Sequence, residues 1–406
     1  MPTVATRGLK PRLDSLTGLR FVAAALVFFF HGSIEFVFAN PSTQSGYLTA
    51  ARTAGFVGVS FFFILSGFVL TWSSRPQDRA RSFWRRRFFK IAPNYLVTYV
   101  AALILLASIH KPSGIGQAVA NLFFVQSWVP QFSYMSGVND VSWTLSAEAF
   151  FYLSFPLLLV LIKRIKETQL WYWAAGVVAA VFVLPAVAQA AFADKPYFIW
   201  GPASWHQIWF VYTFPAARLL EFTLGILLAR IVLAGKWIPQ FGVLPATVIA
   251  VAGYVLSLHA PFLYRYAAAT VIPLALLIPA AATADAAGRR TVFSSRVMIR
   301  LGEVSFAFYL VHHLVIVYGH RAFGLGAYGY PKAWSTLPAI AFLIGTFVVS
   351  LILAWGLYEL VERPVMRRWS AARPKAGSVG PIPAQAPVPQ TEQVAPGRLA
   401  PTANAE

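Results

Sequence analysis

Ten stretches of about twenty mostly apolar residues, separated by short polar loops, dominate this 406-residue chain. They cover 19–38, 55–72, 91–109, 143–162, 171–192, 206–229, 241–258, 266–283, 301–319 and 337–360. A helix needs about 20 such residues to cross a bilayer core, where every backbone polar group must be satisfied within the protein. The chain is therefore expected to be an all-α polytopic transmembrane bundle of about ten spans. Hydrophobic residues make up 58% of it and its mean hydropathy is +0.63, whereas a soluble domain is only about 45–50% apolar. The segment 118–128 is apolar but short, and reads as a re-entrant or interfacial piece on the outer side. The first stretch is long and lacks a following small-residue cleavage site, so it reads as a retained span and not as a signal peptide.

Charge orients the bundle. Of the 33 Lys and Arg, 26 fall in the amino-terminal segment, in 73–90, 163–166, 230–236 and 289–300, and after 360. The alternate loops hold only Arg52, Lys111, Lys195, Arg265, Arg321 and Lys332, and Arg218 lies inside a span. That asymmetry predicts an even number of spans with both termini in the cytoplasm of a bacterial cell. The domain reading is a cytoplasmic segment 1–18, a membrane domain 19–365 and a disordered, Ala- and Pro-rich tail 366–406. The net charge of +19 resides in these membrane-flanking loops, which argues against a nucleic-acid partner. With no cysteine, thiolate chemistry and disulfides are excluded, and no metal site is expected.

Inside the first stretch, Arg20 sits where the apolar run begins and His31 in its middle. Eleven residues of helix are about 16 Å and almost three turns, so both face one side, with Glu35 one turn beyond His31. Counted upward from the cytoplasmic edge, His31, Glu148, Arg218 and His312 fall at about 16–23 Å, with Glu221 slightly lower. Ionisable groups at that depth require partners or a function. A shared layer of five predicts a buried functional site. Arg218 and Glu221, three residues apart, equally predict a simple ion pair with each other. The bland reading of Arg20 is a side chain that snorkels to the interface, and that of His31 a packed hydrogen-bonder.

The loop 75–90 interleaves Arg79, Arg81, Arg85, Arg86, Arg87 and Lys90 with Phe83, Trp84, Phe88 and Phe89. Two roles fit it: an anchor on anionic lipid, or a polyphosphate holder in which guanidinium forks meet phosphate and aromatic rings offer a stacking surface.

Several motifs in order resemble those of the acyltransferase-3 family of integral membrane O-acyltransferases. They are the Arg20…His31 pair, GVSFFFILSGF from Gly58, WTLSAEAFFYLSFP from Trp143, PAARLLEFTLG from Pro215, LGEVSFAFYLVHH from Leu301 and the ERP at Glu362–Pro364. Within that family the chain looks most like the macrolide O-acyltransferases of antibiotic-producing actinomycetes. The resemblance implies transfer of an acetyl or other short acyl group from acyl-CoA, a donor substrate and not a permanently bound cofactor. The implied acceptor is a hydroxyl on a macrolide or other glycosylated metabolite, or alternatively on a cell-envelope glycan.

On that reading Arg20, Arg85, Arg86, Arg87 and Lys90 hold the nucleotide at the cytoplasmic face, His31 is the general base and Glu148 orients it or the acceptor. Ser66 or Arg218 stabilises the oxyanion, while Trp143, Glu221 and His312 support the site. One position departs from the family pattern: Lys90 stands where Arg-X-X-Arg would end, keeping the charge but losing the planar fork. A proton-coupled carrier is the competing class, since buried His, Glu and Arg also describe one. It would show two inverted halves, and no such internal echo is visible. A scaffold without chemistry accounts for neither the polar layer nor the motif series.

Overall fold

The computed structural model describes residues 11–75, 78–238, 241–325 and 331–370. Among the described residues there are fourteen α-helices of four or more residues and no strand. In order they are α1 (Asp14–Ile34), α2 (Pro41–Ala51), α3 (Ala54–Ser73), α4 (Ala80–Ser108), α5 (Ile115–Leu122), α6 (Phe132–Met135) and α7 (Trp143–Lys163). Then come α8 (Leu170–Ala191), α9 (Trp205–Tyr212), α10 (Pro215–Leu233), α11 (Val243–Ser257), α12 (Ala268–Ala286), α13 (Arg296–Ala322) and α14 (Thr336–Leu357). The all-α membrane architecture is as expected. Eight segments are long and apolar enough to cross a bilayer, against the ten anticipated.

The difference lies in two places. The expected span 206–229 is interrupted at Thr213 and Phe214, because a residue before proline is disfavoured in the α conformation and Pro215 starts a new helix. The resulting α10 carries Arg218, Glu221 and Arg230 within 19 residues, and α11 is only 15 residues long. At the other end, Tyr358–Glu362 and Met366–Ser370 continue α14 as π-helical turns, so 366–370 is helical where a tail was expected. The remainder of that expected tail lies outside the described residues.

Small residues draw the central helices together, as is usual where lipid supplies no hydrophobic drive for association. A Cβ on Gly67 of α3 would lie 2.0 Å from the Phe222 carbonyl, and one on Gly225 of α10 would lie 1.9 Å from that of Ile64. The same device joins α1 to α13, where a Cβ on Gly302 would stand 1.9 Å from the Thr17 carbonyl. Helix α1 thus packs against α3 and α13, and α14 lies against α13 and also meets α1, with Phe347 edge-on to Phe21 and Phe28. Its two singular residues, Arg20 and His31, are consequently held inside the bundle.

The segment 110–142 does not cross; as expected it forms short helices and turns. Tyr95 and Tyr99 of α4 donate to the Asn121 and Ala118 carbonyls, and Asn139 donates to the Leu310 carbonyl of α13 at 2.9 Å. These bonds place Asp140 beside α13.

Candidate active site

Two polar regions lie along α1. Nearer its amino end is a cavity of about 140 Å³ walled by α1, α3, α4, α7 and α13. Its polar lining is Arg20, Ser66, Arg87, Lys90, Thr144, Glu148, Tyr152 and Tyr309, and Phe62, Phe63 and Leu145 are among its apolar walls. A cavity of this size resembles the ~150 Å³ engineered void that admits benzene, so it is too small for a nucleotide and admits only a narrow chain. Arg20 and Arg87 make no ion pair among the described residues, and Arg87 lies 5.7 Å from the centre of the Phe83 ring. Two cations therefore face this space uncommitted.

The third cation is committed. Lys90 pairs with Glu362, whose other oxygen accepts from Asn94 Nδ2 at 2.5 Å. The π-helical turn carries Glu362 into the bundle, where its side chain is 2% exposed. A lysine suits this place because a point charge satisfies one carboxylate oxygen while Asn94 takes the other. The expectation that Lys90 chiefly serves a phosphate is thus corrected. Of the remaining loop cations, Arg86 pairs with Asp78 at 3.1 Å and Arg85 donates to the Trp369 carbonyl at 2.8 and 3.0 Å. Trp369 also stacks on Phe89. Neither Arg85 nor Arg86 lines the cavity.

About three helical turns beyond Arg20 is a histidine cluster. His31 Nδ1 lies 3.0 Å from His312 Nε2 and 3.0 Å from the Val27 carbonyl. The His31 and His313 rings are 4.2 Å apart and tilted by 32°. His313 donates from Nδ1 to Asp140 at 2.6 Å, and its Nε2 is 3.7 Å from Glu35. Glu35 also lies 3.7 Å from His320 Nδ1. Just past the end of α1 and below a left-handed turn at Phe36 (φ 53°), Glu35 is pulled two ways: burial raises its pKa, but His313 and His320 hold it down, to about 2. Glu35 therefore serves these two histidines, not His31 as its helical spacing suggested. His31, Asp140 and His313 each offer a ligand atom within 4.8 Å of the others, the arrangement here that comes nearest to a metal site.

Glu148 is not in this cluster. Its partner is the Tyr152 hydroxyl at 3.3 Å, in the cavity with Arg20 and Arg87, so the structure corrects the expectation that it orients His31. The carboxylates at the histidines are Asp140 and Glu35, both beside His313. Arg218 and Glu221 form the simple pair, at 2.8 Å, each side chain 1% exposed. Arg218 also meets Ser60 Oγ at 3.1 Å and the Phe63 face at 5.1 Å, and lines no part of the cavity, so it is a packing element and not an oxyanion donor. Trp143 is likewise core, edge-on to Phe63 and tilted against Tyr212. Of the five residues placed in one layer, only His31 and His312 touch, along with the Arg218–Glu221 pair. Tyr309 links the two regions, since it lines the cavity and its ring lies 5.8 Å from that of His312.

Comparisons with known proteins bear on the family of the chain. The family profile described as an acyltransferase domain (acyltransferase 3) matches residues 13–359. The chain is 41% identical to "Acyltransferase MdmB" of Streptomyces mycarofaciens, over 93% of this chain and 97% of that protein. It is 24% identical to "Peptidoglycan O-acetyltransferase OatA" of Listeria monocytogenes over 89% of this chain, and 23% identical to putative O-acetyltransferases of Staphylococcus aureus over 87%. It spans 57% of the length of each of these last relatives. No solved structure matches. With a profile match over nearly the whole membrane region and a relative aligned end to end, the chain belongs to the acyltransferase 3 family.

Proposed function

We propose that this membrane enzyme moves a short acyl group from an acyl-CoA to a hydroxyl of a sugar-bearing small molecule of the macrolide kind. The observation that carries the reading is the division of labour along α1. Arg20 enters a narrow cavity beside Arg87, while His31 enters a histidine cluster, and Tyr309 touches both regions. The donor's phosphates meet Arg20 and Arg87 at the cytoplasmic end, where guanidinium forks suit them. Glu148, hydrogen-bonded by Tyr152, is the acid that lines the same cavity as these cations.

In the transfer step the acceptor hydroxyl gives its proton to His31 as its oxygen attacks the thioester carbonyl. The new C–O bond forms, the C–S bond breaks, and the proton returns from His31 to the departing thiolate, giving the ester and free CoA. Ser66, one of the hydroxyls in the cavity wall, is the donor assigned to the developing oxyanion. The metabolite acceptor rests on the motif resemblance, and the low identity to the peptidoglycan O-acetyltransferase, 24%, makes an envelope glycan the second reading.

The experiment is a mass measurement. Purified protein in lipid discs is given acetyl-, propionyl- and butyryl-CoA with a panel of glycosylated macrolides and peptidoglycan fragments. A gain of one acyl unit on a macrolide, with CoA released only when the acceptor is present, supports the reading. Acylation of the peptidoglycan fragments alone, or no covalent product at all, overturns it.

A further inference from the structure

We infer that His312 is a positioning residue that fixes the tautomer of His31, the role a carboxylate plays in a serine-hydrolase triad. The inference deepens the proposed reaction and rests on His31 being its base. It follows from which of the groups around the two rings are able only to accept. His312 Nδ1 lies 2.7 Å from the Tyr309 carbonyl and 3.2 Å from that of Phe308. Carbonyl oxygens only accept, so the proton of the neutral His312 ring is on Nδ1 and Nε2 carries the lone pair. That lone pair is 3.0 Å from His31 Nδ1, which must then be the donor. The second neighbour of His31 Nδ1, the Val27 carbonyl at 3.0 Å, is again acceptor-only and demands the same proton. In the neutral His31 ring the lone pair is therefore on Nε2.

The consequence is chemical. His31 Nε2 makes no hydrogen bond among the described residues, so the nitrogen with the basic lone pair is the one free to take a proton. The chain of backbone carbonyl, His312 and His31 does this without a charged group. His312 is fully buried, stacked at 11° on Phe308 and flanked by Phe28, so its ring cannot swing to meet an acceptor. A substrate-holding role for His312, open from its depth alone, is excluded by that burial. When His31 takes a proton in the transition state it becomes a cation with protons on both nitrogens. His312 Nε2 then accepts from a charged donor, a stronger bond than the ground-state one, which is the differential stabilisation that raises kcat. The familiar triad obtains the same tautomer from a buried aspartate.

The test compares side chains of similar size that differ in what they present at the Nε2 position. His312→Gln offers an amide oxygen there, which accepts from His31 Nδ1; His312→Met fills the same volume and accepts weakly at best. With acceptor and acyl-CoA saturating, His312→Met is expected to lose about ten- to a hundredfold in kcat, the usual cost of removing an orienting partner. His312→Gln should recover most of that loss, and KM for acyl-CoA should stay within twofold in both. Comparable melting temperatures for the two variants establish that the comparison is of folded protein. If Met retains the activity of Gln, or if Gln is as inactive as Met, the positioning role is wrong. His31→Gln assayed alongside separates the two ideas. An active His31→Gln removes the base itself, whereas an inactive one with a fully active His312→Met removes only the relay.

Discussion

Replacing Glu362 with Gln should destabilise the protein before it disturbs donor binding. The carboxylate is 2% exposed and holds both Lys90 Nζ and Asn94 Nδ2, while the lysine side chain is 28% exposed. Removing one partner of a buried ion pair costs about 3–5 kcal/mol, because a charge is stranded, and exposed pairs are worth about 0.2–1 kcal/mol. With Lys90 a quarter exposed, an intermediate cost of about 2–3 kcal/mol is expected for Glu362→Gln. At about 2–4 °C per kcal/mol that is a fall of several degrees in the melting temperature of detergent-solubilised protein. Lys90→Met should fall similarly by stranding the carboxylate. The double substitution should fall by less than the sum, giving a coupling of about 2 kcal/mol. If both single variants melted within 1 °C of the parent while KM for acyl-CoA rose tenfold, the lysine would belong to the donor and not to Glu362.

Three further outcomes follow. Arg20→Ala and Arg87→Ala should raise KM for acyl-CoA at least tenfold with kcat little changed, since contacts remote from the thioester contribute uniform binding; unchanged KM in a steady-state assay would dismiss the cavity as the donor site. Glu35, held near 2 against an ordinary value near 4.3, contributes stability that is complete above its unfolded value and is lost as pH falls from about 4.5 toward 2. The melting temperature of the parent should therefore drop more between pH 6 and pH 3 than that of Glu35→Gln, and parallel curves would show that the histidines do not depress Glu35. Reporter fusions after Ser370 and near Arg79 should both read cytoplasm and one near Gly46 the outside; an external carboxyl terminus would reverse the proposed orientation.

Heights along the membrane normal were legible in the sequence for some residues, and directions around each helix were not. Counting residues from the basic edges put His31 and His312 at one level, and they meet. The same count put Glu148 there too, but α7 turns it toward Arg20 and Tyr152, a rotation that depends on packing across α3, α4 and α13. Arg218 and Glu221 pair as their three-residue spacing allows, a local geometry that sequence reports well. Asp140 escaped notice because it sits in an irregular turn where no periodicity exists, reaching His313 from 173 residues away. A signal was present, since it is the one charged residue between Lys111 and Glu148, three positions before Trp143, and His313 stood beside the histidine already singled out. Lys90 and Glu362 are 272 residues apart and meet through a π-helical turn, so neither charge pattern nor spacing could have joined them.

The most direct test of the account is the turnover of His31→Gln in lipid discs, with saturating acyl-CoA and the acceptor identified by mass. An amide keeps a hydrogen-bonding group at that position but takes no proton at neutral pH. Because general-base catalysis contributes about 10²–10⁴ in rate, kcat should fall by at least a hundredfold while KM for acyl-CoA and the melting temperature are preserved. Retention of near-parental kcat would contradict the assignment of His31 as the base and shift attention to His313, whose Nδ1 is already oriented by Asp140.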